Sequence, residues 1–184
     1  TSPATPPVTD AAWINSDLGR FVLAKLESAG LQPAPPGDPR TLIRRMTFDL
    51  LGLPPTPEEA DGFAQSTISN QQSAISSLLD RLLASSHYGE RWGRHWLDVA
   101  PYADTKGYVY GREERFFVHA SAYRDWVVRA FNDDLPYDRF LLLQIAADQL
   151  VPPASPDLAA MGFLTGGRRF IGVTRDIIDD RIDV

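Results

Sequence analysis

The chain has 184 residues, of which 43% are apolar and 10% aromatic, with a net charge of −6 and no cysteine. This length and apolar content suit one globular domain, alone or with a small appendage, and exclude a disordered chain. The acidic balance disfavours nucleic acid as a partner, because polyanions bind basic faces. Without cysteine, the chain itself forms no disulfide, no thiolate metal site and no thioether to a c-type haem.

The ends of the chain and its apolar runs indicate how it is organised. No apolar run approaches the roughly 20 residues of a membrane helix, so no membrane span is predicted. The first nine residues, TSPATPPVT, lack the basic and apolar regions of a signal peptide and are typical of a Pro/Ser/Thr linker. We therefore interpret residues 1–15 as a linker or N-terminal extension. Residues 16–184 are expected to form a single helical domain of a longer protein, truncated at its C-terminus.

Helix caps recur along the first half of the chain. Ser16 can cap a helix that Gly30 ends, and Asp38-Pro39 can start a second helix that Gly52 ends. A third start is the capping box Thr56-Pro57-Glu58-Glu59. A fourth helix is expected to open at Asn70, because the leucines, isoleucine and alanine of residues 74–83 recur at helical spacing.

The second half continues the helical pattern. Further helices are predicted at His87–Ala100, at Ala120–Phe131, from Asp134 onward and at Asp157–Phe163. Strand or loop character is confined to Phe163–Val173, which two adjacent glycines interrupt. The predicted fold class is all-α, an irregular or orthogonal bundle of about six to eight helices with long Pro/Gly-rich connections.

The segment HYGERWGRHWLD, residues 87–98, is the densest in aromatic and polar side chains. Tyr88, Trp92 and Trp96 recur every four residues and form one aromatic stripe on a helix, with Val99 beside it. Aromatic residues at helical spacing usually pack in a core. The alternative is one wall of a pocket for a planar ligand such as haem or a sugar ring.

The histidines do not form a chelating set. His87 and His95 are eight residues apart, so on a helix they lie about 12 Å apart along the axis and about 80° apart around it. They therefore cannot hold one metal ion together. His95, between Arg94 and Trp96, is more often a structural histidine than a ligand, and His119 has no clustered partner.

Two groups of acidic residues could form a metal site or a catalytic pair, but neither pattern is specific. One helical face near the C-terminus carries four carboxylates, from Asp176, Asp179, Asp180 and Asp183. Those carboxylates form a solvated face paired with Arg175 and Arg181 or, alternatively, a Ca²⁺ site. Asp98 and Asp104 could serve glycoside hydrolysis only if they faced each other across a cleft. Since no nucleophile motif accompanies either pattern, no catalytic residue is predicted.

Five longer phrases of the chain together resemble one bacterial family. They are Asp10–Pro35, Thr41–Glu59, Leu82–Tyr108, Tyr123–Phe140 and Asp176–Val184. Through these phrases the chain is similar to the planctomycete cytochrome-type domain family, a domain of unknown function that a Cys-x-x-Cys-His haem motif usually follows. This chain departs from the family at Pro101, which stands where arginine is expected, and at Ala147, which stands where glycine is usual. It also ends at Val184, before that motif.

The resemblance implies a role that depends on the parent protein. The chain would be the helical non-haem portion of an extracytoplasmic c-type cytochrome-like protein, supporting electron transfer by packing against a haem segment that this chain lacks. It would hold no cofactor itself, its partners would be other domains of the parent protein, and haem c would belong to that parent. The alternative is a polysaccharide- or protein-binding scaffold module without a redox role. In either case the contacts to a haem or another ligand would come from His87, Tyr88, Trp92, His95 and Trp96, with His87 or His95 as a second axial donor.

Overall fold

The computed structural model describes residues 3–14, 16–100, 102–105 and 117–165. Within these ranges the regular elements are seven α-helices and two 3-10 helices, without a strand, which confirms the predicted all-α class. The chain forms two compact units, residues 1–38 and 39–184. The division predicted after residue 15 stays a prediction.

The helices follow one another with short connections in most places. The α-helices, numbered in chain order, are α1 Asp17–Ser28, α2 Pro39–Leu51, α3 Pro57–Leu83, α4 Ser86–Val99, α5 Ala120–Asn132, α6 Tyr137–Leu150 and α7 Gly162–Thr165. The 3-10 helices are Ala11–Trp13 and Pro156–Met161. Of the stretch predicted to be strand or loop, residues 163–165 belong to α7, and the remainder lies outside the described residues.

The first unit is organised around α1. Ser16 caps α1 as predicted, its Oγ accepting from the Gly19 amide at 3.4 Å. After the helix ends, Gly30 takes a φ of +68°, a conformation that glycine adopts without steric cost. The Glu27 carboxylate accepts from the amides of Thr9 and Asp10 at 2.9 and 3.3 Å. The residues before α1 are therefore tied to its last turn.

In the second unit, α2 and α3 form one apolar cluster. The predicted capping box is present at the start of α3, where Glu59 N donates to Thr56 Oγ1 and Thr56 N donates to Glu59 Oε2. Asn70 leaves the helical conformation, and its Oδ1 accepts from the Ser73 amide at 3.0 Å. A helical segment therefore begins at Asn70 as predicted, but it continues α3 across a kink and is not a separate helix. The buried residues of this cluster are Ile43, Phe63, Leu78 and Leu82.

A larger cluster joins α4, α5, α6 and the second 3-10 helix. Trp126 and Val127 of α5 are at its centre, both almost fully buried. Ala147 is fully buried, and Ala146 before it is non-helical. The other buried members are Ala100, Tyr123, Ala130, Phe140, Leu143 and Ala160.

A backbone hydrogen bond joins the residues that follow α4 to those that precede α5. The amide of Phe117 donates to the carbonyl oxygen of Asp104 at 2.8 Å. This hydrogen bond joins the residue that follows α4 by five positions to one that precedes α5 by three. The exit from α4 and the entry to α5 are therefore fixed to each other.

Candidate functional site

The α4 helix has a buried face made of glycine and an exposed face made of aromatic rings. Gly89 and Gly93 are buried against α5, where a Cβ at Gly89 would lie 2.2 Å from the Val128 carbonyl oxygen. Asn132, at the end of α5, accepts from the Gly89 amide at 2.7 Å and donates to the Ser86 carbonyl oxygen at 3.1 Å. Because this contact fixes the glycine face inward, the residues one position earlier, at 88 and 92, turn away from α5.

Three rings on α4 form a continuous surface, which we name the α4 patch and define as Tyr88, Trp92 and His95. The ring centroids of Tyr88 and Trp92 are 6.2 Å apart, and those of Trp92 and His95 are 5.5 Å apart. Trp92 is 37% exposed and the neighbouring Val99 78% exposed. The prediction that the stripe packs in the core is therefore wrong for Trp92 and Val99.

Trp96, the last member of the predicted stripe, does lie in the core. Its ring packs edge-on against Phe140 with centroids 4.9 Å apart. A spacing of four residues advances 40° per step beyond a full turn, so Trp96 has rotated away from Tyr88 by about 80°. The structure thus separates the five predicted contact residues: Trp96 enters the core, whereas His87 and the α4 patch face outward.

His87 is held by its own helix. Its Nδ1 lies 2.9 Å from the Glu90 carboxylate, and both side chains are about half exposed. A carboxylate on one ring nitrogen fixes the ring and directs the other nitrogen outward, which is how metal-bound histidines are often oriented. Because both side chains are exposed, this contact contributes little to stability.

The remaining sequence candidates gain less from the structure. Asp176, Asp179, Asp180 and Asp183 lie outside the described residues, so the predicted Ca²⁺ alternative stays a prediction. Asp98 and Asp104 are both exposed, and the Asp104 carboxylate accepts from the Tyr102 hydroxyl. No cluster of three His, Asp or Glu side chains able to hold a metal ion occurs in the described part of the chain.

A buried polar network lies directly beneath α4 and was not predicted from the sequence. Trp96 Nε1 donates to Tyr123 Oη at 2.9 Å and to Gln144 Oε1 at 3.0 Å, and Tyr123 Oη donates to the same Gln144 oxygen at 2.7 Å. Gln144 is 1% exposed and donates from Nε2 to the Phe140 carbonyl oxygen at 3.1 Å. Burial raises the pKa of Tyr123 to about 12. One amide side chain therefore joins α4, α5 and α6.

Two further aromatic side chains donate to carboxylates at the edge of this core. Trp126 Nε1 donates to Asp157 Oδ1 at 3.1 Å, and Arg129 approaches the same oxygen at 3.5 Å. Tyr102 donates to Asp104; burial, followed by this hydrogen bond, raises the pKa of Tyr102 to about 12. Tyr102 and Tyr123 therefore both keep their phenol protons at neutral pH.

An open groove of about 650 Å³ lies inside the kink of α3. Its apolar lining comes from the α2–α3 cluster, and an ion pair between Glu59 and Arg81 borders it, with N and O atoms 2.6 Å apart. The rest of the lining is small and uncharged: Gly62, Ser66, Ser69, Asn70, Ser73, Ala74 and Ser77. Because this lining includes no histidine, methionine or cysteine, the groove offers no usual axial ligand for haem iron.

The residues of this chain do not fit a haem c of its own. Covalent attachment needs two thiols and a neighbouring axial histidine, and the chain contains no cysteine. The imidazoles of α4 lie on an exposed surface and do not line the groove. What the site can do is present aromatic rings and one oriented histidine to a partner.

Comparison with known proteins defines the class of this chain. The sequence model of a family described as PSCyt2, protein of unknown function (DUF1549), matches residues 17–183. The chain therefore belongs to this family, which confirms the resemblance inferred from the five phrases. No curated protein and no solved structure matches the chain. No helix in the described ranges is both long and apolar enough to cross a membrane.

Sequence reasoning missed the residues that orient the site, although one signal was available. Glycine inside a helix costs about 1 kcal/mol relative to alanine, so two glycines four residues apart in α4 indicate a close helix contact. That reading would have placed Trp92 outside the core. Gln144 gave no such signal, because glutamine is mostly exposed in folded proteins and its burial here depends on partners from two other helices.

Proposed function

We propose that this chain is the helical, non-haem part of an extracytoplasmic cytochrome-like protein, and that a haem-bearing segment of the same protein packs on the α4 patch. The exposed Trp92 ring is the observation that supports this most directly. Large aromatic side chains gain free energy when they are buried, and exposed ones are characteristic of interaction sites. The choice of a haem-bearing partner rests on what the family resemblance implies about the parent protein.

The arrangement of α4 suits such a partner. Its glycine face is locked against α5, so the rings of the α4 patch are presented on a rigid helix. Tyr88 and His95 extend the apolar area on either side of Trp92, and His87 is oriented by Glu90. A planar, largely apolar group would cover these rings without displacing the helix.

The test uses the natural protein extended through its haem motif and matured in a periplasm. We expect Trp92→Ala to shift the reduction potential and to increase the exposure of the haem edge to a soluble reductant. Tyr137→Ala, which removes a 68% exposed ring from α6, is the matched control and should change neither. A colourless extended protein, or a Trp92→Ala variant with an unchanged potential and an unchanged rate of reduction, contradicts the proposal.

A second function is favoured by the same exposed ring. Sugar rings pack their C–H faces on exposed indole and phenol rings, and Trp92 with Tyr88 offers such a surface. Calorimetric titration of the chain with a panel of neutral and acidic polysaccharides tests it. Binding that Trp92→Ala abolishes supports a scaffold role on glycans, and an absence of heat with every polysaccharide removes it.

A further inference from the structure

Four oxidisable rings lie next to one another in the core of the second unit. The ring centroids of Tyr102 and Tyr123 are 6.2 Å apart, and those of Tyr123 and Trp126 are 6.4 Å apart with planes only 14° from parallel. Trp96 joins the set through its hydrogen bond to Tyr123 Oη at 2.9 Å. Phenol and indole are among the side chains that lose one electron most readily, so this set forms a continuous path for a single positive charge.

The hydrogen-bond acceptors of the two tyrosines differ in a way that matters for oxidation. A phenol that loses an electron becomes a strong acid and must release its proton to a base. Tyr102 donates to the Asp104 carboxylate, which can take that proton. Tyr123 donates to the Gln144 amide oxygen, which cannot. Oxidation is therefore coupled to proton transfer at Tyr102 and not at Tyr123.

At the other end of the path, a carboxylate beside Trp126 stabilises a positive charge on that ring. The indole N–H of Trp126 donates to the Asp157 carboxylate at 3.1 Å, so an electron lost from this ring leaves a cation beside a negative charge. Arg129 shares that carboxylate at 3.5 Å and moderates its effect. Around Tyr102, the charges of Arg124 and Asp125 act in opposite directions, which leaves Asp104 as the dominant neighbour.

We propose that three of these rings carry a one-electron vacancy from Trp126 through Tyr123 to Tyr102, where it rests as a neutral tyrosyl radical. A strong one-electron oxidant, of the class of ruthenium(III) polypyridyl complexes, takes one electron from Trp126. Trp126 regains an electron from Tyr102 by way of Tyr123, and the Tyr102 hydroxyl proton moves to Asp104. The net result is one reduced oxidant, one neutral Tyr102 radical and one protonated Asp104. This inference does not depend on the proposed docking of a haem segment.

The absence of cysteine makes a site-specific test practical. Ala154 is exposed and lies three residues before Asp157, so Ala154→Cys can carry a ruthenium photosensitiser near Trp126. After a light flash with an external quencher, we expect a tryptophanyl radical that converts to a tyrosyl radical. Transient absorption and electron paramagnetic resonance monitor the two radicals. In Asp104→Asn, which keeps an acceptor and loses the base, the tyrosyl signal should be lost and the tryptophanyl signal should persist.

Matched variants separate this path from direct oxidation of surface rings. Tyr102→Phe should have the same effect as Asp104→Asn, whereas Tyr137→Phe and Trp92→Phe, which alter rings outside the path, should leave the tyrosyl yield unchanged. Circular dichroism of each variant verifies that it is folded. A wild-type tyrosyl yield in folded Tyr102→Phe or Asp104→Asn overturns the proposal, and so does loss of the signal in Tyr137→Phe.

Discussion

The amide of Gly89 in α4 donates to Asn132 Oδ1 at the end of α5 over 2.7 Å, and this contact leaves no room for a side chain at residue 89. A Cβ there would lie 2.2 Å from the Val128 carbonyl oxygen and 2.6 Å from Asn132 Oδ1. The first of these atoms is backbone and cannot move away alone. The observed packing of α4 on α5 therefore requires a residue without a Cβ at position 89.

Gly89→Ala should destabilise the fold by about 3 kcal/mol, because the gain in helix propensity of about 1 kcal/mol is smaller than the combined costs of overpacking against Val128 and of disrupting the hydrogen bond from Gly89 N to Asn132 Oδ1. Gly93→Ala is the matched control: its Cβ would meet Val127 and Val128 side-chain carbons at 3.4 Å, a contact that a small shift relieves. We expect Gly93→Ala to lie within about 1 kcal/mol of wild type. Urea unfolding monitored by circular dichroism measures both, and equal losses would contradict the packing argument.

The two tryptophans of α4 should differ in the same assay. Trp96→Ala removes a ring that packs on Phe140 and a donor to Gln144, so we expect a loss of about 3 kcal/mol. Trp92→Ala removes a partly exposed ring and should cost about 1 kcal/mol or less. If Trp92→Ala were the more damaging of the two, the α4 patch would be part of the core.

Gln144→Leu tests the buried polar network. The substitution nearly conserves volume but leaves Trp96 Nε1 without its second acceptor and Tyr123 Oη without any acceptor for its proton. A buried unpaired polar group costs about 1–3 kcal/mol, and we expect a loss in that range. Gln149→Leu, at an exposed position of the same helix, should change the free energy of unfolding by no more than about 0.5 kcal/mol.

Alkaline pH should weaken the fold through Tyr123. Burial raises its pKa from 10.0 to about 12, so between these values the folded chain keeps a proton that the unfolded chain has lost. Stability is then full below pH 10 and falls as the pH rises toward 12. Tyr123→Phe should reduce this decline in urea unfolding measured across the interval without abolishing it, because the pKa of Tyr102 is also raised to about 12 and that residue still contributes. Tyr137→Phe, at a ring 68% exposed, should retain it, and an identical decline in Tyr123→Phe would contradict the assignment.

Local signals in the sequence predicted most helix starts. Ser16, Thr56 and Asn70 act through hydrogen bonds to amides three residues on, so each can be recognised without knowledge of the rest of the fold. The class of fold follows from these caps and from the helical spacing of apolar residues. The same information placed α5 within one residue of its observed bounds and placed the start of α6 three residues too early.

The orientation of α4 could not be read in the same way. Spacing alone offers two faces, an aromatic one through Trp92 and a glycine one through Gly93, and the choice depends on the surface of α5 that receives it. The acceptor for Trp96 and Tyr123 lies on α6, distant in sequence from both. Such pairings arise only when three helices meet, so the predicted contact residues were divided between surface and core.

The hydrogen bond from Phe117 N to the Asp104 carbonyl oxygen has a consequence for the entropy of the chain. It holds two residues that are thirteen positions apart in sequence at hydrogen-bonding distance, so the exit of α4 and the entry of α5 form the fixed ends of one closed loop. The entropic cost of closing such a loop grows only with the logarithm of its length. Lengthening the chain between these two ends should therefore cost the fold little free energy.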